Sequence, residues 1–556
     1  MSRSFAKLAA VFGAAALALS GCSSSGDGDE ENNESSSEET SAAAEEGDGG
    51  GETTDAVITT NGSEPQNPLV PSNTNETGGG KILELTFAGL IYYDASGAPV
   101  NEIAESIESD DNQLWTITIK EGQKFTDGSE VKASSFVDAW NQGVRDGHLL
   151  RYFYEPIKGY PEGEEKVEAM EGLKVVDDYT FTVELMQPEA DFPLRLGYSA
   201  FYPLPEAGLG DEAVQKEFGE NPIGNGPYML AGEDAWRHNE SIDLVPNPDY
   251  TGPRQPKNGG VTIKFYANPD AAYNDLLAGN LDVADTVPDS AFATFEQELD
   301  GRSINQATAV FQSFTIPARL PHFDGEEGKL RRQALSMAID RDEVTDKIFQ
   351  GTRTPAKDFT SPVIDGYDEN VAGNEVLSFD PEKAKELWAQ ADEISPWEGT
   401  FELAYNADGG HQAWVDAVAN QLKNNLGIDA VGKPYPDFKS FRTEITDRKI
   451  ETPFRSGWLA DYPALSNFLG PLYGTGAGSN DGDYSSQEFD DLLDQAAGAS
   501  SAEEANELYQ QAQGILFEDL PAIPLWYSNV NGGYAEGVNN VEFGWNSVPL
   551  FYNITK

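Results

Sequence analysis

One cysteine, Cys22, stands in 556 residues, which excludes an intramolecular disulfide, a cysteine zinc site and a CxxC redox pair. Basic residues are also scarce, with 36 Lys+Arg against 95 Asp+Glu and a formal charge of −59. Phosphate binding depends on Lys and Arg displacing counterions, so this deficit argues against a nucleic-acid partner. It argues equally against an electrostatic hold on anionic lipid. Four histidines (His148, His238, His322, His411), none close to another in sequence, leave little from which to build a metal centre. A GxSxG elbow, an HExxH pair, a GxxxxGK[ST] loop and a strand-borne GxGxxG are all missing. No metal, no cofactor and no catalytic residue are therefore expected. Gly474-Thr475-Gly476-Ala477-Gly478 lacks the lysine of a phosphate cradle. Asp481, Asp483 and Ser485 begin like a calcium loop, but Leu492 stands where a bidentate Glu is required.

What is present begins with a leader. Arg3 and Lys7 precede an apolar run from Leu8 to Leu19, which rises about 18 Å as a helix, short of the roughly 30 Å hydrocarbon core. That pattern is a secretory signal peptide over 1–21. Leu19-Ser20-Gly21-Cys22 resembles the bacterial lipobox, which implies lipid attachment at Cys22 and an anchor on the outer face of the cytoplasmic membrane. Residues 22–54, rich in Ser, Gly and acids and empty of aromatics, read as a disordered tether.

The whole chain is 39% hydrophobic, and from about Asp55 it has the aromatics to fill sizeable cores. Ala56–Thr60 reads as a strand. Trp115–Lys120 and Tyr179–Leu185 alternate as half-buried antiparallel strands. Val261–Tyr266, Thr400–Tyr405 and Ile523–Tyr527 are further strands. Helices are expected from about Ser134, over Asp270–Ala278, along the stripe Leu330 to Ile339, from Asp380-Pro381, and from Trp414 to Leu426 before Gly427. Ser485…Glu488 and Ser501…Glu504 match capping boxes. Ile82–Leu90 fits either a helix or a strand. The mixture is α/β or α+β in several units.

Several segments, in order, resemble the family 5 solute-binding proteins of ABC importers, the dipeptide/oligopeptide-binding group. They are Asn61-Gly62-Ser63-Glu64, Trp115–Ala133 with its Phe125-Thr126-Asp127-Gly128 turn, and Asn221–Tyr228. Leu277–Asp282, Arg332–Arg341, Asp380–Lys385 and Pro521–Leu525 complete the series. The resemblance implies an α/β, two-lobe periplasmic-binding-protein type II fold with an inserted subdomain (cluster C). Lobe 1 would combine 55–88, 200–306 and 522–556, the insert would run 89–199, and lobe 2 would run 307–521. The protein would be a monomer delivering peptide to a permease.

The resemblance also implies site residues. Asp461, in Gly457-Trp458-Leu459-Ala460-Asp461-Tyr462, matches an aspartate that pairs with a peptide ammonium, with Trp458 and Tyr462 beside it. Ser63 and Glu64 match a turn alongside the ligand backbone, although Glu64 reads equally well as a surface acid before a proline. Pro463-Ala464-Leu465 departs from the family pattern after Tyr462, which puts cargo length in question. Pro317 departs as well, near the expected hinge. Competing functions are a same-family receptor for oligosaccharide, opine or chelated nickel, an exported glycoside or peptide hydrolase, and a peptide-sensing lipoprotein that does not transport.

Overall fold

The computed structural model describes residues 53–161, 167–266, 268–436 and 438–556. The signal segment, Cys22 and all but the last two residues of the tether lie outside the described residues.

Alternating sequence makes a small four-stranded antiparallel sheet from Ala104–Glu108, Leu114–Ile119, Thr180–Glu184 and Leu173–Val175. Trp115, Ile117 and Ile119 point inward and are buried, while Leu114, Thr116 and Thr118 face outward. Trp115 lies opposite Val183 and Ile117 opposite Phe181, so the two buried rows coincide. Helix Ala133–Asp146 covers the inner face, with Phe136 and Trp140 at ring-centroid distances of 5.8 and 5.6 Å from Phe181. Its first turn is closed by Ser135 Oγ, which accepts the Lys132 N–H at 3.2 Å.

A twelve-stranded sheet forms the frame. Its order is Asp429–Tyr435, Thr400–Asn406, Phe454–Leu459, Ser303–Thr315, Ala522–Tyr534, Val283–Ala284, Val57–Gly62, Gly260–Phe265, Ser241–Pro246, Tyr228–Leu230. Arg353–Pro355 pairs with Ala522–Tyr534, and Trp236–Arg237 with Ser241–Pro246. Pairing is parallel between Val57–Gly62 and Gly260–Phe265 and between Thr400–Asn406 and Asp429–Tyr435. At the centre the two 13-residue strands Ser303–Thr315 and Ala522–Tyr534 run antiparallel.

These long strands carry the chain between two hydrophobic cores. The first is built from Ile58 to Leu299 and again from Val530 to Ile554, joined by Tyr462 and Ala464; the second begins at Ala309 and includes Ile523, Leu525, Trp526, Tyr527 and Trp545. On the return path, packing therefore changes between Tyr527 and Val530, inside the strand and beyond its first residue, Ala522. The strand pair is irregular between Ala307 and Phe311. Such a break bends a ladder and increases its local twist. Away from this crossing, the Asn112 side chain donates to the Ala499 carbonyl (2.7 Å), and Ala190 N–H donates to the Ala497 carbonyl (2.8 Å).

Candidate functional site

Helix Thr77–Thr86 opens at Glu76, whose carboxylate accepts the Gly79 N–H at 2.9 Å. Ile82, Leu83 and Leu85 are buried in the first core. Thr77, Gly80, Lys81 and Glu84, spaced by three and four, share the other face and line a cleft. The segment left open between helix and strand is thus helical to Thr86 and extended at Phe87. A Cβ at Gly80 would meet nothing within 4 Å, so the cleft reaches the helix backbone there.

The facing wall comes from strand Phe454–Leu459. It pairs with Ser303–Thr315, placing Trp458 opposite Phe311 and Leu459 opposite Val310. The ladder ends where Ala460 N–H donates to the Ala309 carbonyl (3.0 Å), and Asp461 follows. Asn467, in helix Ser466–Tyr473, holds this turn. Its Oδ1 accepts from Asp461 N–H (2.9 Å) and from Trp458 Nε1–H (3.1 Å), while its Nδ2 donates to Asp461 Oδ2 (3.2 Å).

The cavity between these walls measures about 620 Å³ and is strongly aromatic, with Tyr93, Tyr152, Tyr198, Tyr202, Phe438 and Trp458 around it. Burial pushes the Asp461 carboxyl up to about 6, against the single opposing bond from Asn467. No Lys or Arg among the described residues forms an ion pair with it. Burial likewise pushes Glu84 up to about 7, outweighing the fields of Arg254 and Lys81 and the bond from Asn546. Both of those cations are claimed elsewhere. Lys81 pairs with Asp285, and Arg254 holds Glu102 through two bonds of 2.8 and 3.0 Å. Tyr152 and Tyr198 are raised by burial and then by the Asp461 charge, so they remain neutral phenols. Among the described residues, the lining contains no histidine and no cysteine.

Of the residues expected from sequence, the cleft lining takes Asp461 and Trp458. Tyr462 is buried in the first core, with the Arg195 guanidinium 5.5 Å from its ring centroid, and does not line the cavity. Glu64 stands apart from the lining as well. Its carboxylate accepts from Trp236 Nε1 (3.1 Å) and Asn239 N (2.8 Å) and contacts His238 Nδ1 (2.8 Å). Ser63 is exposed next to Gly78, also outside the lining. Cys22 lies outside the described residues. Glu84, Tyr152, Tyr198, Phe438 and Asn467 escaped the sequence reading. Only the Thr77–Glu84 polar face carried a signal, visible once that segment is taken as a helix. The acids of the rejected calcium loop are engaged by arginines: Arg448 binds both Asp481 (3.0 Å) and Asp483 (2.8 Å), and Arg319 binds Asp483 (2.6 Å).

Two cores joined by paired strand crossings enclose a roomy aromatic cleft in which Asp461 has no ion pair among the described residues and the cations near Glu84 are paired with other acids, an arrangement that suits ligand capture. The chain belongs to the bacterial extracellular solute-binding proteins, family 5: the family model "Bacterial extracellular solute-binding proteins, family 5 Middle" matches residues 98–480. The chain is 26% identical over 499 residues to the oligopeptide-binding protein OppA of Bacillus subtilis, covering 85% of this chain and 89% of that one. To the periplasmic murein peptide-binding protein MppA of Escherichia coli it is 27% identical over 469 residues, covering 81% and 84%. Among solved structures, Haemophilus influenzae OppA in complex with RPPGFSPFR superposes at a TM-score of 0.72 and 25% identity, covering 90% and 98%. The unliganded open form of MppA superposes at 0.75 and 24%, covering 90% and 97%, a likeness of fold. The fold is the mixed α/β architecture of this family. No helix among the described residues is long and apolar enough to cross a membrane.

Proposed function

We propose that this protein is the peptide receptor of an ABC importer, and that the cleft grips its cargo by the amino terminus. The observation that carries this is Asp461: a carboxylate in an aromatic cleft, aimed by Asn467 and without a cation of its own. An ammonium supplies the missing charge, and a hydrogen bond to a charged group contributes about 1.5–3 kcal/mol. Trp458 flanks it as a side-chain wall that tolerates varied partners. Relatives that are themselves oligopeptide-binding proteins support peptide as the cargo. A further structural neighbour, the ABC transporter-associated DppA of Helicobacter pylori in complex with the peptide STSA, supports the permease partner. The two cores serve as lobes (55–88, 200–306 and the chain from about Val530 onward against 307–527, the expected boundary at 522 moving along the strand, with 89–199 inserted) that close on the cargo and present the closed face to the permease. Cys22 carries the lipid that keeps a monomeric receptor on the outer face of the membrane, supported by the lipobox-like Leu19–Cys22. The protein binds without catalysing.

Melting of residues 54–556 tests this. Short peptides with free amino termini should raise the melting temperature, whereas N-acetylated copies and cellobiose should not. Equal shifts from acetylated and free peptides would remove the ammonium from the reading. Steady product from a glycoside or peptide would replace it with the hydrolase, for which Asp461 and Glu84 would be the two carboxyls.

A further inference from the structure

The cleft continues behind Glu84 into a second, smaller recess of about 60 Å³. Glu84, Tyr93, Tyr202 and Trp545 line both spaces, and Tyr92, Asp94 and Arg254 line the recess alone. The Tyr93 and Trp545 rings meet edge to face, centroids 5.4 Å apart. At this measure a water needs roughly 10–15 Å³, so the recess holds a few waters or one small polar head with its last methylenes.

The charges around Glu84 do not balance. Arg254 donates Nη1–H to the Glu84 backbone carbonyl (2.6 Å), but its guanidinium is committed to Glu102. Lys81 is committed to Asp285, which also accepts from the Asn61 side chain (2.7 Å). The Glu84 carboxylate receives one neutral bond, from Asn546 Nδ2 (2.9 Å). Tyr93, Tyr198 and Tyr202, which lie in the field of Glu84, are phenols kept neutral by burial. A carboxylate held among aromatic faces with its local cations already paired is complementary to an ammonium or guanidinium, which gains from the charge and from the ring faces together.

We propose that Glu84 and the aromatic recess behind it form a second cationic subsite, so that this receptor selects peptides carrying a lysine or arginine side chain besides the free amino terminus. The inference rests on the peptide reading above and assigns that cleft a preference. Asp461 takes the amino terminus, and Glu84 takes the basic side chain. Asp461 and Glu84 both act on the Tyr198 phenol, so the two acids belong to one electrostatic site.

Calorimetric titration of the intact protein with paired peptides tests this. The set is Lys-Ala-Ala, Ala-Lys-Ala and Ala-Ala-Lys, each against a copy with norleucine in place of lysine, an apolar side chain of similar length. At one of the three positions lysine should bind about tenfold tighter than norleucine. Glu84→Gln, close to isosteric and still able to accept from Asn546, should bring that ratio to about one; Glu84→Asp, which keeps the charge but retracts it, should fall between. Ratios at or below one at all three positions overturn the subsite without any variant. So does a lysine preference that survives Glu84→Gln. If norleucine peptides bind and lysine brings no gain, only the subsite fails. If no peptide of either kind binds, the peptide reading fails and takes the subsite with it.

Discussion

Asp461 is legible at the scale of one residue because its motif marks it, and its buried environment supports the role proposed for it. Its folded-state carboxyl is held at about 6, above the ordinary 3.8. A raised acid favours the protonated folded state, so its contribution to stability is present below the ordinary value and is lost as pH rises through about 6. Cargo capture has the opposite sign, since an ammonium pairs with the ionised form. Lowering the pH from 8 to 5 should therefore weaken free-amine peptides about tenfold through this group, while the unliganded protein loses none of the stability due to Asp461. Titration calorimetry across that range reads the first effect and melting reads the second; affinity independent of pH would rule out Asp461 as the anionic partner. Asp461→Asn should cost free-amine peptides about 10–150-fold. It should leave unliganded melting unchanged or raised, because a desolvated charge is gone. Collapse of the unliganded protein would assign Asp461 to structure. Glu64 makes the contrast: its short motif pointed toward the ligand, but three donors from Trp236, His238 and Asn239 have claimed it.

At the scale of elements, helix Thr77–Thr86 and the first turn of Ser466–Tyr473 set the cleft. Gly80 lies inside the first helix with open space beyond it. Gly80→Ala should stabilise the protein by about 0.5–1 kcal/mol, because a helical glycine forfeits backbone entropy. Gly80→Phe should keep the melting temperature but block peptide binding, by filling the cleft. If Gly80→Phe binds normally, that helix face is not part of the binding surface. Asn467→Leu leaves the Trp458 indole and the Asp461 N–H without their acceptor; a stability loss of about 1–3 kcal/mol and weaker capture should appear together. Elements with strong periodicity could be read directly. Trp115–Lys120 became Leu114–Ile119, and Asp380 caps Pro381–Ile394 through the Lys383 N–H (2.9 Å). Caps slipped by a residue where two serines adjoin: Ser486, not Ser485, accepts from Phe489 N–H. Ser501 accepts the Glu504 N–H as expected, but the Glu504 carboxylate turns back to Ser500. Ile82–Leu90 could not be assigned because its apolar residues serve a helix face up to Thr86 and an extended run after it. The cleft aromatics were illegible for another reason: Tyr152, Tyr198 and Phe438 come from separate loops and helices, and only the fold brings them together.

At the scale of the whole molecule, a chain with a net charge of −59 has a cargo proposed to be cationic. Like charges on one surface repel, and folding concentrates them. Raising salt from 0.01 to 1 M shortens the screening length from about 30 to 3 Å, so the melting temperature of the unliganded protein should climb with added NaCl. The same field draws positive peptides toward the cleft, and screening removes that help. Association rates for a lysine-containing peptide, followed by stopped-flow tryptophan fluorescence, should therefore fall with salt. A norleucine copy, with one positive charge fewer, should slow less. Dissociation rates should move little by comparison, because the Asp461 and Glu84 contacts lie in a cleft partly shielded from ions. The two salt effects have opposite signs and one origin. A melting temperature indifferent to salt, with association equally indifferent, would mean that local ion pairs have already neutralised the surface field and that the acidic composition contributes nothing to capture.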